Sequence, residues 1–392
     1  MKKFLLLGAA AVLACSANAQ SLKEVAKFDS KVVEWAANVR NAEIVGDKLA
    51  VANMGTGCVE LYDMTGELKT SYNVNDFTLS NQIGLHGTDS VGQPTYTQFK
   101  IGRAIAVDAV GNIVVNLNFP NAASATDFVV IDPEGAMTHV ACEVPAPATA
   151  SRADFISAAG DVLNNGYIAV APNTQANVIV YNIYEGKQDT DFSYVVTAPA
   201  ALTNETKIAF PDKTIAELAD YAPEFYVYHR GYAAKQLLRS TNNSKDDLVG
   251  VENVGNGGAG STGLAAFTIN GVKYAVLPAP NAKGSRTTAL AIYDVEKGEK
   301  VAGTEGPLNV DKYAEDFSAV VNANGTAYIS QLVQGACVVV YEFNPAGASA
   351  IEEIAADNAP VEYYNLQGVK VANPENGVFV KKQGAKAVKV VL

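Results

Sequence analysis

One pattern recurs along this chain: an apolar run of strand length followed by a tight turn that ends in glycine. The fullest copy spans residues 102–135 and contains three such runs, at 104–107, 113–115 and 128–131, the last followed by a turn at 132–135. The last strand and turn recur at residues 59–66, 178–186, 290–298 and 338–345. A single small sheet cannot bury both of its faces, so units of this kind must stack against one another.

The spacing of the turns suggests the architecture. Gly135 and Gly186, and likewise Gly298 and the turn after Pro345, are separated by roughly one four-stranded propeller blade of 40–50 residues. The interval before Gly135 and the one after Gly186 are longer, which predicts insertions or weakly marked blades there. We therefore predict an all-β fold, a β-propeller with seven blades as the first expectation and six or eight as alternatives. A pair of β-sandwiches is the rival architecture.

Three segments carry more local predictions. Residues 23–40 precede the first full repeat, and we expect part of them to complete the last blade and close the ring. Residues 75–101 are polar and turn-rich, which indicates an insertion that projects from one face. Residues 211–222 contain a capping box and are the best helix candidate.

Residues 255–260 match GxGxxG, but a strand follows them instead of a helix, so we reject nucleotide binding.

The first 19 residues have the features of a secretory leader. Lys2 and Lys3 form a basic region, residues 4–14 are apolar, and residues 17–19 supply a small-x-small cleavage site before Gln20. A lipoprotein anchored at Cys15 is the alternative. We expect an extracytoplasmic protein without a transmembrane segment after leader cleavage, with a signal peptide at 1–19, a propeller at 20–350 and a small β module at 351–392.

The C-terminal segment has a motif of its own. It combines a YNxxGxxV hairpin at residues 363–371, a GVFV strand at 377–380 and a basic KAVKV strand at 386–390. This segment resembles the C-terminal sorting modules of secreted Bacteroidetes proteins. The resemblance implies a periplasmic, outer-membrane-surface or secreted location. The alternative is a small β appendage with no role in sorting.

The repeat at residues 102–115, GRAIAVDAVGNIVV, is similar to the repeats of NHL- and gluconolactonase-type propellers. We suspect a secreted Bacteroidetes propeller of an uncharacterised family. The lactonase-type members hold a divalent metal through a Glu, an Asn and an Asp on separate blades, and we cannot place that trio here.

The net charge and the numbers of cysteines and histidines limit the classes of partner and of site. The formal net charge is −12, and −14 once Lys2 and Lys3 leave with the leader, which argues against nucleic acid as a partner. Cys58, Cys142 and Cys337 are widely spaced and predict buried thiols, with a Cys58–Cys337 disulfide as an alternative. Three histidines are too few for a histidine-rich metal centre, so we predict no metal site. We also expect no cofactor and a monomer.

Three arginines occupy corresponding positions, just before the innermost strand of a predicted blade: Arg40, Arg103 and Arg152. The equivalent positions late in the chain are Thr262 and Asp316, and we count Asp316 with the three arginines as a candidate ligand-binding residue of the channel mouth. Arginines that converge on one channel mouth could bind a carboxylate, a phosphate or an acidic sugar. Alternatively, each arginine pairs with an acid or a carbonyl of a neighbouring blade.

The sequence has no nucleophile elbow, no HExxH motif and no clear acid–base pair. Our leading hypothesis is therefore a secreted, non-catalytic binding or interaction module of the bacterial cell envelope. Its partner would be an anionic small molecule, a glycan or an envelope protein. The alternative is a propeller hydrolase or lyase that acts on an anionic glycan or lactone.

Overall fold

The computed structural model describes residues 20–29, 39–118, 126–149, 152–199, 201–202, 206–215, 222–229, 237–240, 247–255, 262–279, 287–304, 314–333, 335–346, 361–365, 369–372, 374, 378–383 and 386–391. The chain divides into two compact units. One is Gln20–Pro345, and the described residues of the other follow Pro345. Within the described ranges, no helix is both long enough and apolar enough to cross a membrane.

The first part of the larger unit contains these elements: β1 (Ser21–Asp29), β2 (Val39–Val45), β3 (Lys48–Asn53), β4 (Cys58–Asp63), β5 (Leu68–Asn73), α1 (Val74–Ser80), β6 (Gly84–Thr88), β7 (Pro94–Gln98), β8 (Lys100–Val107), β9 (Ile113–Asn118), β10 (Asp127–Ile131), β11 (Met137–Ala141), β12 (Ile156–Asp161), β13 (Asn165–Val170), β14 (Asn177–Tyr184) and β15 (Lys187–Thr197).

The second part contains these strands: β16 (Lys207–Ala209), β17 (Tyr226–Tyr228), β18 (Leu237–Arg239), β19 (Val249–Gly250), β20 (Ala265–Ile269), β21 (Val272–Pro278), β22 (Leu290–Asp294), β23 (Glu299–Gly303), β24 (Ala314–Val321), β25 (Ala327–Val333) and β26 (Cys337–Asn344).

All of these strands except β6 and β7 form six four-stranded antiparallel sheets, which we call blades 1 to 6. Blades 1 to 5 are β2–β5, β8–β11, β12–β15, β16–β19 and β20–β23. Blade 6 contains β24, β25 and β26, and its fourth strand is β1 from the start of the unit. Lys23 of β1 lies opposite Glu342, and Phe28 lies opposite Val338. The predicted closure of the ring by the N-terminal segment is confirmed.

Two observations show that the ring is complete with six blades. The innermost strands β2, β8, β12, β16, β20 and β24 contact one another in that order, and β24 contacts β2. Each of the six blade interfaces also contains its own cluster of buried apolar side chains. The cluster between blades 6 and 1 includes Phe28, Ile44 and Val338.

The propeller prediction is thus confirmed, with six blades rather than the seven first expected. The long interval before Gly135 contains α1 and the β6–β7 hairpin in place of a further blade, as the predicted insertion requires. The interval after Gly186 contains blade 4, whose strands have only two or three residues. Of the predicted helix, residues 211–215 are not helical, and residues 216–221 lie outside the described residues.

The smaller unit contains one four-stranded sheet, in the order β28, β27, β29, β30. Its strands are β27 (Glu362–Tyr364), β28 (Lys370–Val371), β29 (Val378–Gln383) and β30 (Lys386–Val391).

The three cysteines of the larger unit are free thiols, so Cys58 and Cys337 form no disulfide in this structure. Cys142 and Cys337 are buried as predicted, whereas Cys58 is only half-buried.

Candidate functional site

The candidate site is the channel at the axis of the propeller. Each innermost strand forms the edge of its sheet, so part of its backbone N–H and C=O groups faces the channel instead of a partner strand. The amino ends of these strands surround one mouth, and their carboxyl ends surround the other.

The amino ends of three innermost strands share an irregularity. The register of β2 shifts between Val39 and Ala42, and that of β8 shifts between Ile101 and Ile105. A third shift occurs in β24, just before Asp316. Such bulges change the direction in which side chains point. Arg40 and Arg103 lie within the first two of these bulges, at the corresponding positions that the repeat predicts.

Arg103 and Arg152 converge on one carboxylate. Nη1 of Arg103 is 3.0 Å from Oδ2 of Asp154. Arg152 binds the same carboxylate in two places, with Nε 2.7 Å from Oδ1 and Nη2 2.6 Å from Oδ2. These hydrogen bonds raise the pKa of Arg152. We refer to Arg103, Arg152 and Asp154 as the arginine mouth.

The charges at the arginine mouth do not cancel. Asp154 is almost fully buried, whereas the side chains of Arg103 and Arg152 are 34% and 43% exposed. The two guanidinium groups share one negative charge, which leaves an excess of one positive charge at the solvent boundary. This excess is notable because the whole chain is acidic.

Asp316 has a different environment from the arginines. Its side chain is only 4% exposed and its Oδ1 is 2.8 Å from Nζ of Lys207, which is 2% exposed. Asn41 donates to the other oxygen of Asp316 and accepts from the backbone N–H of Ile105, at 2.9 Å. Lys207 also lies over the ring of Phe155. Asp316 therefore belongs to a buried network in the channel, which contains residues of blades 1, 2, 4 and 6, and Phe155 just before blade 3. Thr262 is buried as well.

A second acidic side chain lies deeper in the channel. Burial raises the pKa of Glu43 to about 8, despite the opposing effect of the nearby Lys213 ammonium. Glu43 is partly exposed because it lines a cavity of about 30 Å3. This volume holds about one or two water molecules and no larger molecule.

The carboxyl ends of the innermost strands surround a larger space. Residues 211–214, which follow β16, extend to the neighbouring innermost strands: Nζ of Lys213 donates to the carbonyl of Val107 at 2.6 Å, and Oγ1 of Thr268 donates to the carbonyl of Pro211 at 2.9 Å. A cavity of about 360 Å3 lies between this segment and the ends of β2, β8, β20 and β24. We call it the carboxyl-end cavity.

The sequence analysis did not identify most of the polar side chains of the channel. The residues it missed are Asn41, Glu43, Asp154, Lys207 and Lys213. One signal was available: Lys207 is the single charge in the otherwise apolar run 207–210, and a lone charge there indicates a buried partner.

The three histidines were not expected to be ligands. His139 lies in β11, with Nε2 2.9 Å from Oδ1 of Asp127. The aromatic residues Phe225, Tyr226 and Tyr228 are buried between blades.

No protein-family model matches the sequence, and no curated protein is similar to it. Several solved structures have a similar fold. A DUF4623 family protein from Bacteroides eggerthii is 15% identical, with a TM-score of 0.52 over 79% of this chain and 71% of that chain. A streptogramin B lyase is 12% identical, with a TM-score of 0.43 over 83% and 98% of the two chains. Virginiamycin B lyase from Staphylococcus aureus is 11% identical, with a TM-score of 0.41 over 94% and 98%. At 15% identity the similarity to the DUF4623 family protein concerns the fold alone.

Proposed function

We propose that this protein is a secreted, non-catalytic binding module of the bacterial cell envelope, and that the arginine mouth binds an anionic ligand such as an acidic sugar. The leader at residues 1–19 and the sorting-like motifs after residue 351 support the location. Purification of the exported protein and mass measurement of its N-terminus test this part. A mature chain that begins at Gln20 supports it, and a lipid-modified Cys15 indicates the lipoprotein alternative.

The observation that carries the binding proposal is the shared carboxylate of Asp154. A guanidinium group has five N–H donors. Among the hydrogen bonds of the described residues, Arg103 uses one donor on Asp154 and Arg152 uses two. The donors that remain lie next to each other because both side chains are held by the same group. Two adjacent guanidinium groups are well suited to a carboxylate, which accepts paired hydrogen bonds.

The alternative is a hydrolase or lyase that acts on an anionic glycan or lactone. One feature favours it: a carboxyl group with a pKa near 8, such as Glu43, is typical of a catalytic acid or base. The cavity beside Glu43 argues against this role because it has no room for a substrate. Binding without turnover is therefore the function that the geometry supports best.

The test is isothermal titration calorimetry with oligogalacturonate at 50 mM and 300 mM NaCl. We expect saturable binding that weakens at the higher salt concentration. Arg103→Gln should weaken binding at least tenfold and leave the melting temperature nearly unchanged, because Arg152 still pairs with Asp154. Arg239→Gln is the matched control: Arg239 has similar exposure and a 2.9 Å ion pair with Glu296, but it lies on β18, away from the channel.

Equal binding by Arg103→Gln and Arg239→Gln contradicts the proposed site. A large fall in the melting temperature of Arg103→Gln shows that the arginine is structural. Release of new reducing ends or unsaturated products from the oligogalacturonate would favour the enzymatic alternative.

A further inference from the structure

The carboxyl-end cavity has the properties of a second ligand site. Its volume of about 360 Å3 lies within the range of about 300–1,000 Å3 that is typical of small-molecule pockets. It is formed where the innermost strands of blades 1, 2, 5 and 6 end and where residues 211–214 follow β16. Residues from five blades therefore contribute to it.

This cavity is distinct from the arginine mouth. Val107, which lines it, lies four residues along β8 from Arg103, a distance of roughly 13 Å at the usual rise per strand residue. The packed side chains of Phe210 and Phe317 and the small cavity beside Glu43 occupy the level between them. The carboxyl-end cavity and the arginine mouth are thus separate sites.

The polar groups of the cavity include both signs of charge. Lys213 contributes an ammonium group that uses one of its three donors on Val107. Asp212 contributes an exposed carboxylate, which accepts the backbone N–H of Thr214 at 2.9 Å. Asp108 adds a buried carboxyl group, and Thr268 adds a hydroxyl.

This arrangement selects against charged ligands. The attraction of an anion to Lys213 is offset by its repulsion from Asp212, and the attraction of a cation to Asp212 is offset by its repulsion from Lys213, since both groups lie within one small space. A neutral ligand that carries several hydroxyl groups can both donate to Asp212 and accept from Lys213. Its apolar edges can contact Ile44, Pro211 and Val320, which complete the lining.

From these observations we propose that the carboxyl-end cavity binds a neutral carbohydrate of one or two sugar rings. The site is independent of the anionic ligand proposed for the arginine mouth, and either proposal can fail without the other.

Ligand-observed NMR and calorimetry on the mature chain test this proposal. The probes are glucose, galactose, mannose, N-acetylglucosamine, maltose and cellobiose, with galacturonate and glucosamine as charged counterparts. Galacturonate is compared on Arg103→Gln, in which the arginine mouth is weakened, so that only binding at the carboxyl-end cavity is scored. We expect at least one neutral sugar to bind saturably and more tightly than its charged counterpart.

The variants locate the site. Ala109→Trp places a large ring at the rim of the cavity, where Ala109 is exposed, and should weaken sugar binding at least tenfold. Val110→Trp is the control, because Val110 is the next residue, is 54% exposed and does not line the cavity. Arg103→Gln should leave sugar binding unchanged.

Three outcomes overturn the proposal: no neutral sugar binds, the charged sugars bind equally well, or Ala109→Trp binds like Val110→Trp. Loss of binding in Ala109→Trp with an unchanged melting temperature supports it. If Ala109→Trp unfolds, Asp212→Asn serves instead, because Asp212 is exposed. This variant removes the negative charge at the rim of the cavity and should therefore bind galacturonate more tightly than the wild-type cavity does.

Discussion

Replacing Asp316 with alanine leaves the Lys207 ammonium buried without its carboxylate. Both side chains are almost fully buried, at 2% and 4% exposure, so little water can compensate for the lost partner. Removing one member of a buried ion pair typically costs about 3–5 kcal/mol. Asn41 also loses its acceptor on Asp316, and an unsatisfied buried donor costs about 1–3 kcal/mol. We expect Asp316→Ala to lower the free energy of unfolding by at least about 3 kcal/mol.

Urea unfolding followed by circular dichroism measures this loss. Glu296→Ala is the matched control, because it breaks the exposed ion pair with Arg239 and should cost about 0–1 kcal/mol. The double variant Lys207→Met with Asp316→Asn removes both charges and keeps an acceptor for Asn41. It should recover most of the stability lost in Asp316→Ala.

The single variant Lys207→Met gives a separate check through pH. Burial raises the pKa of Asp316 already in the wild type, against the effect of Lys207. Without Lys207 the carboxyl group must be protonated to remain buried, so its folded-state pKa rises further above the unfolded value. The folded state then binds the extra proton, and stability falls as the pH rises between these two values. If Asp316→Ala costs no more than Glu296→Ala, or Lys207→Met shows no added pH dependence, the buried ion pair is not the stabilising contact we describe.

Three further predictions concern other parts of the ring. Phe28→Ala should cost about 3–5 kcal/mol in thermal unfolding, because Phe28 is 1% exposed between blades 6 and 1, whereas the exposed Val25 on the same strand should tolerate alanine. The folded pKa of Glu43, about 8, lies above the ordinary value of 4.5. The free energy of unfolding of the wild type should therefore fall as the pH rises from 5 to 8, by at most about 1.4 kcal/mol per pH unit. Urea unfolding of Glu43→Gln should show a weaker dependence of this free energy on pH. Gly102→Ala should lower the melting temperature, because a Cβ there would lie 2.6 Å from the carbonyl oxygen of Asn116, whereas Gly87→Ala meets only a flexible threonine side chain and should not.

The ring could be predicted from the sequence because its signals are local. A β-branched run followed by a glycine turn identifies a strand and its end, and the spacing of the turns gives the size of a blade. Blade 4 was poorly marked because its strands of two or three residues are too short to show an alternating pattern. The count of blades therefore required the structure.

The channel network could not be predicted in the same way. Lys207 and Asp316 are 109 residues apart in the chain, and Asn41 and Asp316 are 275 residues apart. Nothing in the local sequence of Asp316 identifies either partner, because the contacts depend on which strands reach the axis. The arginines are different: their repeat position predicted that they approach one mouth. Arg103 and Arg152 bind the same carboxylate, that of Asp154, because blades 2 and 3 are in contact. The repeat alone does not predict these atomic contacts.

The interior of the channel uses its polar side chains to satisfy the exposed strand edges. Asn41 accepts the backbone N–H of Ile105, and Ser318 accepts that of Ile44. Groups committed in this way cannot also bind a ligand without leaving a backbone group unpaired, which would cost about 1–3 kcal/mol. Polar groups that are not needed to pair the backbone remain at the two ends of the channel. They belong to the arginines at the arginine mouth and to Asp212 at the carboxyl-end cavity. Ligand binding by this propeller is therefore expected at the ends of the channel and not within it.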